Sequence, residues 1–177
     1  LFLKLPQGLN ATDEQVSLIV SAYTVGGMVA SLLSGRLADR LGRLQTISLG
    51  LVLAVLTLLL YGLVPNVEVM ALVYGVNGVA FMTLQTVTFA LAGDIIPVYK
   101  RARLLSRYNA AMALSWGPAG LLIGVPLADI LTGVWGISPQ VAYINAFIVA
   151  AILVAVGSVV FLTRVKRPPH ERMRDFS

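Results

Sequence analysis

The sequence predicts an all-α integral membrane protein whose chain crosses the bilayer five times, and three observations carry that reading. Of its 177 residues, 58% are apolar and only 12% charged, against roughly 45–50% and about 25% in soluble domains. The mean hydropathy is +0.86, so the chain lacks the polar groups to cover its own surface and needs lipid as solvent. The apolar residues also fall into five runs of about 20 residues, each long enough to span a hydrocarbon core about 30 Å thick.

The runs lie near residues 15–35, 45–64, 69–93, 106–128 and 140–163. The second, LGLVLAVLTLLLYGLV, is apolar all round, as a lipid-embedded helix is. None of the five alternates apolar with polar residues over short segments, which disfavours a transmembrane β-barrel. Between the runs fall a basic loop, a Pro65-Asn66 turn, a second basic loop, and a connection at 129–139 containing Asp129.

A net charge of +5 could suggest nucleic acid as a partner, but the placement of the charges says otherwise. Three basic residues cluster at Arg36, Arg40 and Arg43, four at Lys100, Arg101, Arg103 and Arg107, and five from Arg164 onward; only Lys4 stands apart. Each cluster follows an apolar run, so a single orientation places 12 of the 13 positive charges in the cytoplasm, as the positive-inside rule requires. The partner is a lipid bilayer, and no nucleic acid is expected.

With no Cys and a single His, His170, the chain offers neither a disulfide nor a metal cluster, and no cofactor is expected. The chain opens on Leu1 without a signal peptide, which reads as a truncated product. The expected organisation is residues 1–13 as the outer end of a missing helix and its loop, 14–163 as a five-helix bundle, and 164–177 as a cytoplasmic tail, with Pro168 and Pro169 stopping the last helix.

The first basic turn reads Gly35-Arg36-Leu37-Ala38-Asp39-Arg40-Leu41-Gly42-Arg43. A two-helix hairpin in lipid needs a tight polar turn, for which glycine supplies positive φ or close approach. A carboxylate among arginines can pair with them or accept hydrogen bonds from a neighbouring helix N-terminus. In Gly35, Asp39, Arg40, Gly42 and Arg43 this segment resembles the signature loop of the major facilitator superfamily of transporters, departing from it at Leu44 and Gln45. The resemblance implies one six-helix half of such a transporter, with Asp39 helping to latch the cytoplasmic side shut. The close signature match favours the first half of such a transporter, whereas the basic tail, and Tyr74-Gly75-Val76-Asn77-Gly78 without the Arg usual there, favour the second half, helices 8 to 12, which is the expectation. A weaker likeness, Asp94 and Pro97 followed by Arg101, implies a cytoplasmic charge network beside the loop; Pro97 ending a helix is the plainer reading.

Other motifs are explained by packing. Gly117-Pro118-Ala119-Gly120 with Gly124 loosely resembles a drug/proton antiporter motif, but Gly and Pro are commonly tolerated in membrane helices. Gly27, Ser31 and Gly35 suggest a small-residue packing face.

Polar residues within the spans are costly and mark candidate sites. Asn77, Phe81 and Gln85 share one face of the third helix, and Asn109, Met112 and Trp116 share one face of the fourth. Facing one another, and joined by Tyr23 and Asn145, they would line a cavity near the bilayer midplane, where such a fold binds substrate; interhelical hydrogen bonding is the alternative. No Asp, Glu, Lys or Arg lies mid-span. A coupling proton or sodium ion would therefore depend on the missing half, and intramembrane hydrolysis lacks an acid, base or metal.

The expectation is a secondary active transporter of the inner or plasma membrane, not an enzyme, moving a small organic solute by alternating access. Drug or metabolite efflux comes first and sugar or organic-acid uptake second. A non-transporting helical scaffold or receptor is the rival from another class.

Overall fold

A helix starts readily where a side chain can satisfy its first free backbone amides. In the computed structural model, which describes residues 9–116, 130–134 and 136–164, helix α1 spans Asp13–Leu41. Thr12 caps it: its hydroxyl accepts from Gln15 N at 3.3 Å while its own N–H donates to Gln15 Oε1 at 3.0 Å. Asp13 and Glu14 fill the first turn, where the helix dipole favours negative charge. Helix α2 spans Arg43–Tyr61. Helix α3, Val67–Ile95, starts beneath Asn66, whose side chain accepts from Val69 N at 2.9 Å.

Helix α4 spans Val98–Trp116 and helix α5 spans Pro139–Arg164. Residues 130–133 form a further helical turn. Among the described residues, α1, α2, α3 and residues 141–164 of α5 are long and apolar enough to cross a membrane. The chain is therefore an all-α, multi-pass membrane protein.

Two boundaries differ from the expected ones. α1 continues to Leu41 instead of ending near 35, so its 29 residues rise about 44 Å and overshoot the hydrocarbon core. Arg36, Asp39 and Arg40 thus sit on helical turns, exposed. α4 starts at Val98, not 106, so Lys100 to Arg107 are the first turns of a helix and not a loop. Pro97 explains both sides of that break. It holds Ile96 extended, at φ −88° and ψ 125°, as a residue before proline must be, and Lys and Arg propagate helix readily beyond it. Gly117, Pro118, Ala119, Gly120, Gly124 and the tail from 165 lie outside the described residues.

The tightest packing joins α1 to α3. A Cβ at Gly26 would stand 2.2 Å from Gly75 O, and one at Gly78 would stand 2.2 Å from Tyr23 O. Only glycine permits that backbone approach. On α1 the buried stripe runs Ile19, Gly27, Ala30, Ser34, Ala38, whereas Ser31 and Gly35 are exposed. A strict four-residue step drifts about 40° each time on a 3.6-residue helix, which carries Ser31 and Gly35 off the packing face.

α2 packs between α3 and α5. Two apolar clusters hold the bundle, Ile19, Tyr61, Met70, Ala71 and Val73 toward one end and Ala38, Ile47, Val87 and Leu91 toward the other. The second lies at the end that carries Arg40, Arg43, Lys100, Arg101 and Arg164, called here the basic end. Large apolar side chains such as Met28, Leu32 and Leu72 are 67%, 69% and 69% exposed, as lipid-facing surface is.

Candidate functional site: the basic turn and the α3 polar face

One residue, Gly42, makes the whole turn between α1 and α2. Its φ of 93° lies in a region that L side chains avoid. Its N–H donates to Ala38 O at 2.9 Å, and its carbonyl accepts from Thr46 N and Thr46 Oγ1 at 3.1 and 2.9 Å. The turn is thereby closed on both sides without a water-filled loop. Gly35 has no such role: it lies within α1, and a Cβ there would meet nothing within 4 Å.

Placing Arg43 as the first residue of α2 aims it at the end of α3. Arg43 Nε stands 2.6 Å from Asp94 Oδ2, with the two side chains 22% and 27% exposed. This charge-assisted contact joins the turn to α3 across more than fifty residues of chain. Arg101 is drawn to the same helix end. Its Nη2 donates to Gly93 O at 2.6 Å, satisfying one of the free carbonyls that close a helix, while its Nε is buried without a hydrogen-bond partner. Asp39 and Arg40 lie exposed on the last turn of α1.

The α3 face carrying Asn77, Phe81 and Gln85 looks toward α2 and α5. Asn77 Nδ2 donates to Thr57 Oγ1 at 2.8 Å, and Thr57 in turn donates to the Leu53 and Ala54 carbonyls. Asn77 is thus spent on an interhelical contact. Phe81 and Gln85 instead line a cleft of about 300 Å³ with Ile47, Leu51, Leu84, Thr88, Tyr108, Val154, Gly157, Ser158 and Phe161.

From α4 it is Tyr108, not Asn109, that reaches this cleft; Tyr108 also meets Phe89 edge-on at 5.1 Å. Asn109, about 100° further round the helix, is exposed. Tyr23 is half-buried and packs its ring 5.1 Å from Tyr74, which continues through Tyr61 to Phe147 as an aromatic chain across four helices. Asn145 is half-buried on α5 and is not among the residues lining the cleft. Among the described residues, Tyr23, Asn109 and Asn145 are not among those that line the cleft with Phe81 and Gln85; the side chain of Trp116 lies outside the described residues.

Thr57, Thr88, Tyr108 and Ser158 escaped the sequence reading. Thr57 had a usable signal, being the one polar side chain in the apolar stretch from 49 to 60. Tyr108 had none, because one residue of helical phase separates it from Asn109.

Comparison with known proteins matches residues 1–176 to the family model of the Major Facilitator Superfamily. An uncharacterized MFS-type transporter of Mycobacterium tuberculosis strain H37Rv is 29% identical over 161 residues, covering 90% of this chain and 22% of that protein. Multidrug resistance protein 2 of Bacillus subtilis is 26% identical over 154 residues, covering 87% and 36%. A triacylglyceride transporter of Mycolicibacterium hassiacum is 34% identical over 101 residues, covering 57% and 19%. The chain thus spans between 19% and 36% of the length of these relatives. No solved structure matches it significantly.

Proposed function

The chain belongs to the major facilitator superfamily, and from that premise we propose that it supplies one of the two helical bundles of a secondary active transporter for a small organic solute, seated in the cell membrane with its basic end in the cytoplasm. The observation that carries the reading is the Arg43–Asp94 contact at 2.6 Å. It ties the signature turn to the end of α3, so that α1, α2 and α3 move as one body at the basic end. A bundle that rocks against a partner needs that rigidity where the gate closes. Asp39, exposed beside the tie on the last turn of α1, is the residue we assign as the latch toward the opposite bundle.

Efflux of a drug or an apolar metabolite is the favoured direction and substrate class. It is supported by relatives named for multidrug resistance and for triacylglyceride transport, and by intrabundle walls that are mainly apolar. Coupling to a proton or sodium ion falls to residues of the opposite bundle.

The test is flux in sealed vesicles holding the full-length transporter, with a panel of apolar and polar solutes driven by a proton or a sodium gradient. Gradient-dependent movement that falls about ten-fold in Asp39→Asn, on the order of 1.4 kcal/mol of lost preference for the latched state, supports the reading. Absence of flux for every solute under both gradients sinks it.

A further inference from the structure

Two openings flank the seam between α2 and α5 near the basic end. At the far end the two helices are locked together: Tyr61 meets Phe147 edge-on at 5.3 Å, and a Cβ at Gly62 would already stand 3.0 Å from Ile144. Toward the basic end Phe161 of α5 packs with Leu51 of α2 against the cluster around Ile47, and a space lies on either side of the seam. On the inner side lies the cleft of about 300 Å³ bounded by α3 and α4. On the outer side a second space of about 310 Å³ opens between Ser48, Leu51, Val52, Val55 and Leu56 of α2 and Ala155, Ser158, Val159 and Leu162 of α5.

Leu51 and Ser158 line both spaces, so the two meet at this pair of side chains. The outer one borders lipid-facing surface, with Val52, Leu56 and Val159 58%, 50% and 62% exposed. Its depth follows from helix rise. Ile47 lies about 6 Å beyond Arg43 and Phe161 about 5 Å before Arg164 at 1.5 Å per residue, which sets the path within one leaflet.

The wall chemistry selects the occupant. Among the described residues no charged side chain lines either space, and an ion taken there would lose its hydration without a partner among them. Ile47, Phe81, Leu84 and Phe161 offer apolar contact, while the amide of Gln85 offers two N–H donors and one acceptor; the hydroxyls of Thr88 and Tyr108 beside it are hydrogen-bonded to each other. Ser158 is already committed, donating to Val154 O at 2.6 Å. A volume of about 300 Å³ holds a body of roughly two or three fused rings, at the small end of ligand pockets.

We infer that the α2–α5 seam is a lateral portal, through which an uncharged amphiphile dissolved in the leaflet at the basic end passes Leu51 and Ser158 and binds in the inner cleft with its polar group on Gln85. The site lies within one bundle, and it stands or falls independently of transport.

Gly157 provides the test, because it lines the cleft and a Cβ there meets nothing within 4 Å. The full-length protein in phosphatidylcholine nanodiscs is titrated with 1-aminoanthracene, an uncharged three-ring amine that fluoresces in apolar sites. Wild type is expected to add a saturable component to the linear partition seen in empty discs. Gly157→Phe is expected to weaken it by at least about ten-fold, whereas Gly157→Ala retains it. Widening the junction with Leu51→Ala is expected to raise the association rate several-fold. Should Gly157→Phe fail to fold, photolysis of 1-azidoanthracene on wild type is expected to place adducts within 81–88 or 154–161. A purely linear titration, undiminished saturable binding in folded Gly157→Phe, or adducts confined to other segments overturns the site. Equal association rates for wild type and Leu51→Ala overturn the portal.

Discussion

Single residues in this bundle divide between those that hold helices together and those left available for function, and hydrogen-bond partners decide which is which. Asn77 belongs to the first group. Its donation to Thr57 at 2.8 Å predicts that Asn77→Leu lowers stability by about 1 kcal/mol, the usual scale for interhelical hydrogen bonds in lipid, read from thermal unfolding in detergent micelles. The Arg43–Asp94 pair behaves differently. Its side chains are 22% and 27% exposed, so the net worth of the pair is on the order of 1 kcal/mol or less. Asp94→Asn is accordingly expected to leave the melting transition nearly in place while slowing gradient-driven flux several-fold. The exchange Arg43→Asp with Asp94→Arg is expected to recover part of that flux. Full activity in Asp94→Asn would remove the pair from the gate.

At the scale of elements, the decisive feature is the crossing of α1 and α3. Gly78 lies against the Tyr23 carbonyl, where a Cβ would stand 2.2 Å away. Gly78→Ala is therefore expected to force the helices apart at a cost of about 1–3 kcal/mol, seen as a lowered melting temperature and loss of monodispersity in detergent. Gly35→Ala is the contrasting case. With nothing within 4 Å of its Cβ and a helical position, it is expected to hold or gain stability by up to about 1 kcal/mol. A loss of flux in Gly35→Ala would then reflect contacts made outside this bundle and not its stability. Comparable destabilisation by both substitutions would mean that the crossing is not the tight contact. In the sequence both glycines sit in apolar helices and look alike; only the meeting of two backbones separates them.

The whole molecule is a bundle with one basic end, and the orientation proposed from that asymmetry is open to a clean measurement because the chain has no native cysteine. Single-cysteine variants are placed at Gln45 on the basic end and at Leu63 on the opposite end, both exposed. A membrane-impermeant maleimide is expected to label the first only in inside-out vesicles and the second only in right-side-out ones. The opposite pattern would invert the orientation. Much of this architecture was legible in the chain itself. Among the described residues hydropathy located α1, α2, α3 and α5 as spans, Asn66 and Pro97 marked helix ends, and the signature segment marked the turn, because each depends on the local cost of exposing backbone groups or on an allowed φ. The candidate cavity was legible only as a face, since helical spacing put Phe81 and Gln85 on one side of α3 while leaving the helix opposite them undetermined.

Composition and hydropathy alone establish that this protein lives in a bilayer, and the chain order alone shows where its positive charge collects and which family turn joins α1 to α2. Only the packed bundle shows that Gly26 meets Gly75, that Arg43 reaches Asp94, that Asn77 donates to Thr57, and that Leu51 and Ser158 border two spaces at the α2–α5 seam. The physical reason is the solvent. Crossing the membrane is a one-dimensional question answered by apolar length. In lipid, however, burial of apolar surface does little to choose partners among helices, so the choice rests on the fit of small residues and a few hydrogen bonds, which exists only once the helices are side by side.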